Sequence, residues 1–321
     1  MNEVKHVLNI FKTCLFVRLE RRCDFMIPVL GFDNGRSMVK SATEKAYHEF
    51  PSAVSEAREL KNPQNKAGDL EIVYNGQRWF VGSLAEREGL YIRYGFGDSK
   101  GEETTLLQFF ATCWIHNIYG QVNVSMGTPV DAFTKEERSK IRGILKKEHH
   151  FTVKGSRHEG EMAREEHWTV DVQNVLISQE CVSGYWADPQ DGATYTIDAG
   201  AKTTNYASFD KDRTYIEKES GTLDIGWEGI KANEELDKID DNELDEEEIQ
   251  KIAAAYANRI VDEVQKRGGW NRPRRTVQLI GGLADKIEDA IRKTFPKAYV
   301  VPEPRRANAI GYYKLGRRIF K

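Results

Sequence analysis

Twice in this chain an apolar run ends on an aspartate, turns through a glycine and resumes as a second strand-like run. The first unit is Ile27 to Asp33, then Asn34-Gly35-Arg36-Ser37-Met38, then Val39–Ala42. The second is Tyr195-Thr196-Ile197-Asp198, then Ala199-Gly200-Ala201-Lys202-Thr203, then Thr204–Phe209. A glycine in such a turn lets backbone N–H groups approach an anion closely, Ser37 adds a hydroxyl, and Lys40 reaches a phosphate as a point charge. An Asp at the end of the preceding strand is placed to hold Mg²⁺ through water. One such turn alone is commonplace. Two, one in each half, form an internal repeat and predict hairpins facing each other across a triphosphate.

Around these hairpins strand and helix signals alternate, which sets the class as α/β. Leu70–Tyr74 and Arg78–Val81 flank Asn75-Gly76, a hairpin signature. Leu106, Leu107, Phe110, Trp114 and Ile118 place a buried helix over Thr104–Tyr119, followed by a strand at Gln121–Met126. Thr134 and Glu137 have capping-box spacing at the start of the next helix. The polar stretch 146–168 reads as a connection or a surface hairpin, and Trp168–Ile177 as a strand leading into Ser178-Gln179-Glu180.

In the second half Tyr215–Glu217 reads as a strand. The acidic run from Asp237 to Glu248 reads as a solvated loop feeding a long helix, capped by Asp245 with Glu248 and stopped at Gly268. Its apolar face is Ile249, Ile252, Tyr256, Ile260 and Val264. Val277–Ile280 is a buried strand ending at Gly281-Gly282, where missing side chains leave room for a flat base or a ribose. A helix over Asp285–Phe295, a short strand at Tyr299–Val301 and a helix from about Arg306 complete the pattern.

Charge and rare residues narrow the function classes. With 47 basic and 50 acidic residues the net charge is −3, so no global attraction draws the 321-residue chain to nucleic acid or an anionic membrane. The 4 cysteines form no CxxC pair and the 7 histidines no metal-ligand spacing, which fits a reducing, cytoplasmic compartment. Residues 1–25 contain an apolar run from Val7 to Val17, interrupted by Asn9, Lys12 and Thr13 and too short to span a bilayer. They read as an extension outside the fold, the alternative being an amphipathic helix on a membrane surface.

Taken in order, Asp33–Lys40, the segment around Glu180, Asp198–Asn205, Gly281-Gly282 and Ala307-Asn308-Ala309-Ile310-Gly311 resemble the superfamily of actin, heat-shock chaperones and sugar kinases. Phe50-Pro51-Ser52, Trp79-Phe80-Val81-Gly82 and Thr128-Pro129-Val130 are similar to segments of ParM-type plasmid-segregation actins and archaeal actin-like proteins, and the likeness runs over 27–321. It implies an actin-like fold of two related ribonuclease H-like domains around a nucleotide cleft, residues 26–190 with 303–321 forming one and 191–302 the other.

It also implies site residues. Asp33, Asn34, Gly35, Arg36, Ser37 and Lys40 match the first phosphate loop, Gly200 and Thr203 the second, Gly281, Gly282 and Leu283 the adenosine motif, and Asn308 the second interdomain connection. Asp33 and Asp198 would hold Mg²⁺, with Glu180 and Asp198 catalytic. Glu180 either orients the attacking water, with Gln179 as fallback, or caps the helix that follows it. The sequence departs from the pattern at Asn205, where ParM-type proteins commonly carry an acid, and at Ala201, where actin carries a second Asp. Metal binding would then rest on Asp33 and Asp198 alone, with slow turnover.

The resemblance thus implies an ATPase (ATP, with GTP as the other possible nucleotide, and Mg²⁺) that polymerises into filaments. Plasmid DNA segregation or a prokaryotic cytoskeletal role follows, with self-association and DNA reached only through an adaptor protein. A small-molecule kinase of the same superfamily is the alternative, although no further Asp motif suits it. The basic residues Arg305, Arg306, Lys314, Arg317, Arg318 and Lys321 read as a solvated face, and Lys202 stands outside the core site.

Overall fold

The computed structural model describes residues 27–320 except 62–65, 95–98, 158–160, 235–238 and 240–242. The expectations for residues 1–25, and for most of the acidic run before Glu243, lie outside the described residues. Nine strands build a first sheet: β1 (Val29–Asn34), β2 (Met38–Ala42), β3 (Tyr47–Pro51), β4 (Val54–Glu56), β5 (Leu70–Tyr74), β6 (Gln77–Val81), β7 (Gly120–Thr128), β8 (Glu148–Gly155) and β9 (Arg164–Gln179). Five build a second: β10 (Thr194–Ala199), β11 (Thr204–Phe209), β12 (Gly221–Leu223), β13 (Thr276–Ile280) and β14 (Ala298–Val300). The helices are α1 (Ser83–Glu88), α2 (Glu103–Ile115), α3 (Lys135–Leu145), α4 (Trp227–Asn233), α5 (Glu246–Gly268), α6 (Ala284–Arg292) and α7 (Ala307–Ile319).

The repeat seen in the hairpins extends to whole sheets. The first runs β3-β2-β1-β7-β9 before continuing through β8, β5, β6 and β4; the second runs β12-β11-β10-β13-β14. In both, the first two pairings are antiparallel and the next two parallel. Strands β1 and β10 hold the same central place and are buried along their whole length. Each sheet has its own core, centred on Phe32, Phe109, Phe110 and Trp79 in the first and on Tyr195, Tyr256, Trp270 and Leu279 in the second. The mixed α/β class and the two related units are those the sequence implies.

Helix α7 returns the chain to the first sheet, packing on β1 and on the 3₁₀ turn Gly184–Ala187. Gly311 makes that crossing possible, because a Cβ there would sit 2.5 Å from the carbonyl carbon of Ser183.

Several local expectations shift. Helix α2 stops at Ile115 because Asn117 turns left-handed (φ 55°), leaving Ile118 to enter the core from the turn. Helix α5 has the full Asp245/Glu248 capping box but runs through Gly268; the left-handed residue is Gly269. Only half of the Thr134 box forms: Thr134 accepts the Glu137 amide, while the Glu137 carboxylate goes elsewhere. The stretch 146–168 contributes the β8–β9 hairpin, which buries His149, Phe151 and Val153 on alternate positions. Tyr215–Glu217 is not a strand. Tyr215 makes one bridge to Phe209 after the Asp210 carboxylate has folded the loop onto the amides of Asp212 and Thr214, and β12 supplies the third strand. Helix α6 ends at Arg292, short of the expected Phe295, and β14 begins one residue early. No helix among the described residues is long and apolar enough to cross a membrane.

Candidate functional site

The two hairpins are built alike. A Cβ on Gly35 would lie 2.7 Å from the Met38 carbonyl oxygen, and a Cβ on Gly200 would lie 2.7 Å from that of Thr203. Each turn therefore closes over its glycine at the same offset of three residues. Across the ladders Asp33 pairs with Lys40 and Asp198 with Asn205. The first turn is pinned from β3's side by Ser52, whose hydroxyl donates to the Gly35 carbonyl at 2.5 Å. Gly281, at φ 92°, closes a third wall; a Cβ there would meet the Ala199 carbonyl and stand 2.5 Å from Asp198 Oδ1. The Leu283 amide donates to the Ala199 carbonyl at 3.4 Å, tying this turn to the second hairpin.

These elements line one cavity of about 880 Å³ between the sheets. It brings together Asp33, Asn34, Gly35, Arg36, Ser37 and Lys40 from the first loop; Asp198, Gly200 and Thr203 from the second; Glu180; Gly281, Gly282 and Leu283; and Asn308, whereas Gln179, the fallback for Glu180, does not line it and donates instead to the Tyr215 hydroxyl at 3.5 Å. Lys100, Thr128, Asp224, Arg267 and Lys202 line it too. Lys100, Asp224 and Arg267 carry no motif and had no sequence signal, since only the fold brings them there.

Of the carboxylates lining it, Asp33, Asp198 and Glu180 feel one another's charge. Asp33 and Asp198 are 5% and 8% exposed. Burial pushes the Asp33 carboxyl above its usual range, against the attraction of Lys40 and Lys100. Burial likewise pushes Asp198 up to about 6, opposed by a hydrogen bond from Asn308 and reinforced by the charges of Glu180 and Asp33. Asn308 Nδ2 donates to Asp198 Oδ2 at 2.7 Å, and its Oδ1 accepts the Cys181 amide at 3.0 Å. Glu180 is held by Lys100 Nζ on Oε1 at 2.5 Å and by Asn205 Nδ2 on Oε2 at 3.2 Å. Its carboxylate faces the cavity and does not cap the turn Gly184–Ala187, whose N-terminal Ser183 makes no side-chain cap either. Asn205, the departure from the acidic pattern, is itself oriented by the Thr222 hydroxyl, which donates to its Oδ1 at 2.8 Å.

Among the described residues no three His, Cys, Asp or Glu side chains converge as a ready-made metal cage. The donor set instead suits Mg²⁺, which takes one or two carboxylates and completes its shell with water and phosphate. Asp33 and Asp198 are buried anions whose ionisation a divalent cation at the cavity would favour.

Comparison with known proteins decides the family of the first half. Residues 31–182 match the family described as actin like proteins N terminal domain. The chain carries an actin-like domain. Solved structures extend the likeness to the whole fold of this actin-like chain. The archaeal actin homolog Ta0583 in complex with ADP is 19% identical with a TM-score of 0.72, covering 91% of this chain and 100% of its own. The apo psk41 ParM protein is 17% identical with a TM-score of 0.69, covering 92% and 98%. The Alp12 filament structure is 14% identical with a TM-score of 0.66, covering 92% and 100%. At these identities the likeness establishes an actin-like fold. No curated protein matches the chain by sequence.

Proposed function

We propose that the chain is an actin-like ATPase that polymerises, the nucleotide lying between the two repeat units. The observation that carries this reading is that Asp33 and Asp198, from equivalent positions of the repeat, line one cavity with Glu180 from the connection between the sheets. The comparison proteins support it: one is an archaeal actin homolog solved with ADP and another a filament. The backbone amides of the Gly35 and Gly200 turns cradle phosphate oxygens, and Lys40 adds a cation. Asp33 and Asp198 would hold Mg²⁺ through water, and the ion would supply positive charge against the charge developing on the phosphate.

Glu180 orients a water in line with the terminal phosphate. The water oxygen bonds to phosphorus, the bond to the bridging oxygen breaks, ADP departs with that electron pair, and the water's proton ends on inorganic phosphate. A head-to-tail contact between copies that does not close by rotation yields an open filament. Plasmid segregation through a DNA-binding adaptor is the use that suits a net charge of −3.

Light scattering and pelleting with ATP, ADP or no nucleotide test this. Assembly that requires ATP and disappears in Asp198→Ala supports the reading. A protein that stays monomeric with ATP at tens of micromolar contradicts it and favours a small-molecule kinase. Glu180→Ala is expected to assemble normally and release phosphate slowly.

A further inference from the structure

Lys100 belongs to neither hairpin, nor to the connection or the glycine turn, yet it makes the shortest polar contact of Glu180. Its ammonium meets Oε1 at 2.5 Å with the two side chains only 15% and 14% exposed, so water screens the pair little. Asn205 grips the other oxygen from β11. Without Lys100, Glu180 would keep Asn205 on one oxygen and stand beside the like charges of Asp33 on β1 and Asp198 on β10, with the buried Tyr312 hydroxyl from α7 nearby.

The segment carrying Lys100 is itself anchored. The Glu137 carboxylate on α3 accepts from the Ser99 hydroxyl at 2.9 Å and from the Lys100 amide at 2.6 Å. Gly101 lies so close to α3 that a Cβ there would stand 2.6 Å from Lys140 Cγ. Glu137 has the spacing to complete the Thr134 capping box, but Thr134's own amide donates to the Ala132 carbonyl, leaving Glu137 to hold the Lys100 segment.

We propose that Lys100, anchored on α3 through Glu137, is a positioning residue for phosphate cleavage: it fixes the Glu180 carboxylate against Asn205 and keeps it aimed into the cavity where the attacking water sits. The proposal rests on the ATPase reading above. A carboxylate held from both sides keeps one rotamer, and a small misplacement of an orienting group costs on the order of 100-fold in rate.

The test is phosphate release by the full chain with ATP and Mg²⁺, beside nucleotide affinity measured with a fluorescent ATP analogue. Lys100→Met is expected to lower the maximal rate about 10- to 100-fold with affinity nearly unchanged, and Lys100→Arg to recover most of the loss. Lys100→Met/Glu180→Gln should be no slower than Glu180→Gln alone, because both changes remove one unit. Where Lys100→Met fails to fold, Glu137→Gln, which keeps the ion pair but loosens its anchor, should slow release with affinity retained. A normal or faster rate in Lys100→Met, a loss confined to affinity, or effects that multiply in the double variant would each overturn the role. A wild type that releases no phosphate overturns the ATPase reading along with it; a normal wild type beside an unaffected Lys100→Met overturns the positioning role alone.

Discussion

Asn308 on the last helix donates to the Asp198 carboxylate at 2.7 Å, and through its other amide atom it accepts the backbone amide of Cys181, the residue after Glu180. One side chain thus ties the second phosphate hairpin to both segments that join the two sheets. Asn308→Ala leaves a buried amide and a buried carboxylate short of partners, at a cost of about 1–3 kcal/mol. Its urea midpoint should fall accordingly, and its affinity for nucleotide with Mg²⁺ at neutral pH should weaken, because Asp198 loses a bond that favours its charged form. A variant with unchanged midpoint and affinity would remove Asn308 from this role.

Asp198 also makes the nucleotide-free protein sensitive to pH. Its folded-state pKa of about 6 lies above the ordinary 3.8, so between these values the folded chain binds more protons than the unfolded one. Stability contributed by the group is therefore present at low pH and is lost as pH rises through about 6, an effect on the order of 3 kcal/mol. His116, pushed down from 6.5 to about 3 by burial, works in the opposite direction across the whole of this range. The informative quantity is thus the stability of wild type minus that of Asp198→Asn, which should fall from pH 4 to pH 7 in denaturant titrations. A flat difference would show that Asp198 ionises normally.

The paired glycines after β13 separate cleanly. Gly281 has φ 92° and no room for a Cβ beside Ala199 and Asp198, whereas Gly282 has nothing within 4 Å of one. Gly281→Ala should cost about 1–3 kcal/mol from strain and reduce nucleotide binding. Gly282→Ala should leave the melting temperature within a degree or so of wild type. Equal losses in both variants would mean that the turn differs from the one described.

Much of this site was readable from the chain because its cause is local. A strand ending in Asp, a glycine whose absent Cβ admits the carbonyl three residues on, and a returning strand need no long-range information, so the Asp33 and Asp198 hairpins and their repetition in the two halves were legible. The fate of Tyr215–Glu217 was not, because past the turn in which the Asp210 carboxylate captures two amides the chain makes a single bridge to Phe209 and enters a 3₁₀ turn instead of a strand. Of the two readings of the polar stretch 146–168, a connection or a surface hairpin, the structure builds the hairpin, and the alternation along Glu148–Gly155 buries every second residue. Lys100 had no signal at all: it sits beside an ordinary Gly-Glu-Glu helix start, and its partner lies 80 positions away. The Thr134/Glu137 spacing suggested a cap, whereas the carboxylate had a competing partner in space.

In the proposed site the two repeat units clamp one nucleotide through their paired aspartates. Calorimetric titration of the full chain with ATP in the presence of Mg²⁺ tests it most directly. One site per chain is expected in the wild type, with affinity falling sharply without Mg²⁺ and in both Asp33→Ala and Asp198→Ala. No binding by the folded wild type, or binding indifferent to the metal and to both aspartates, would contradict it.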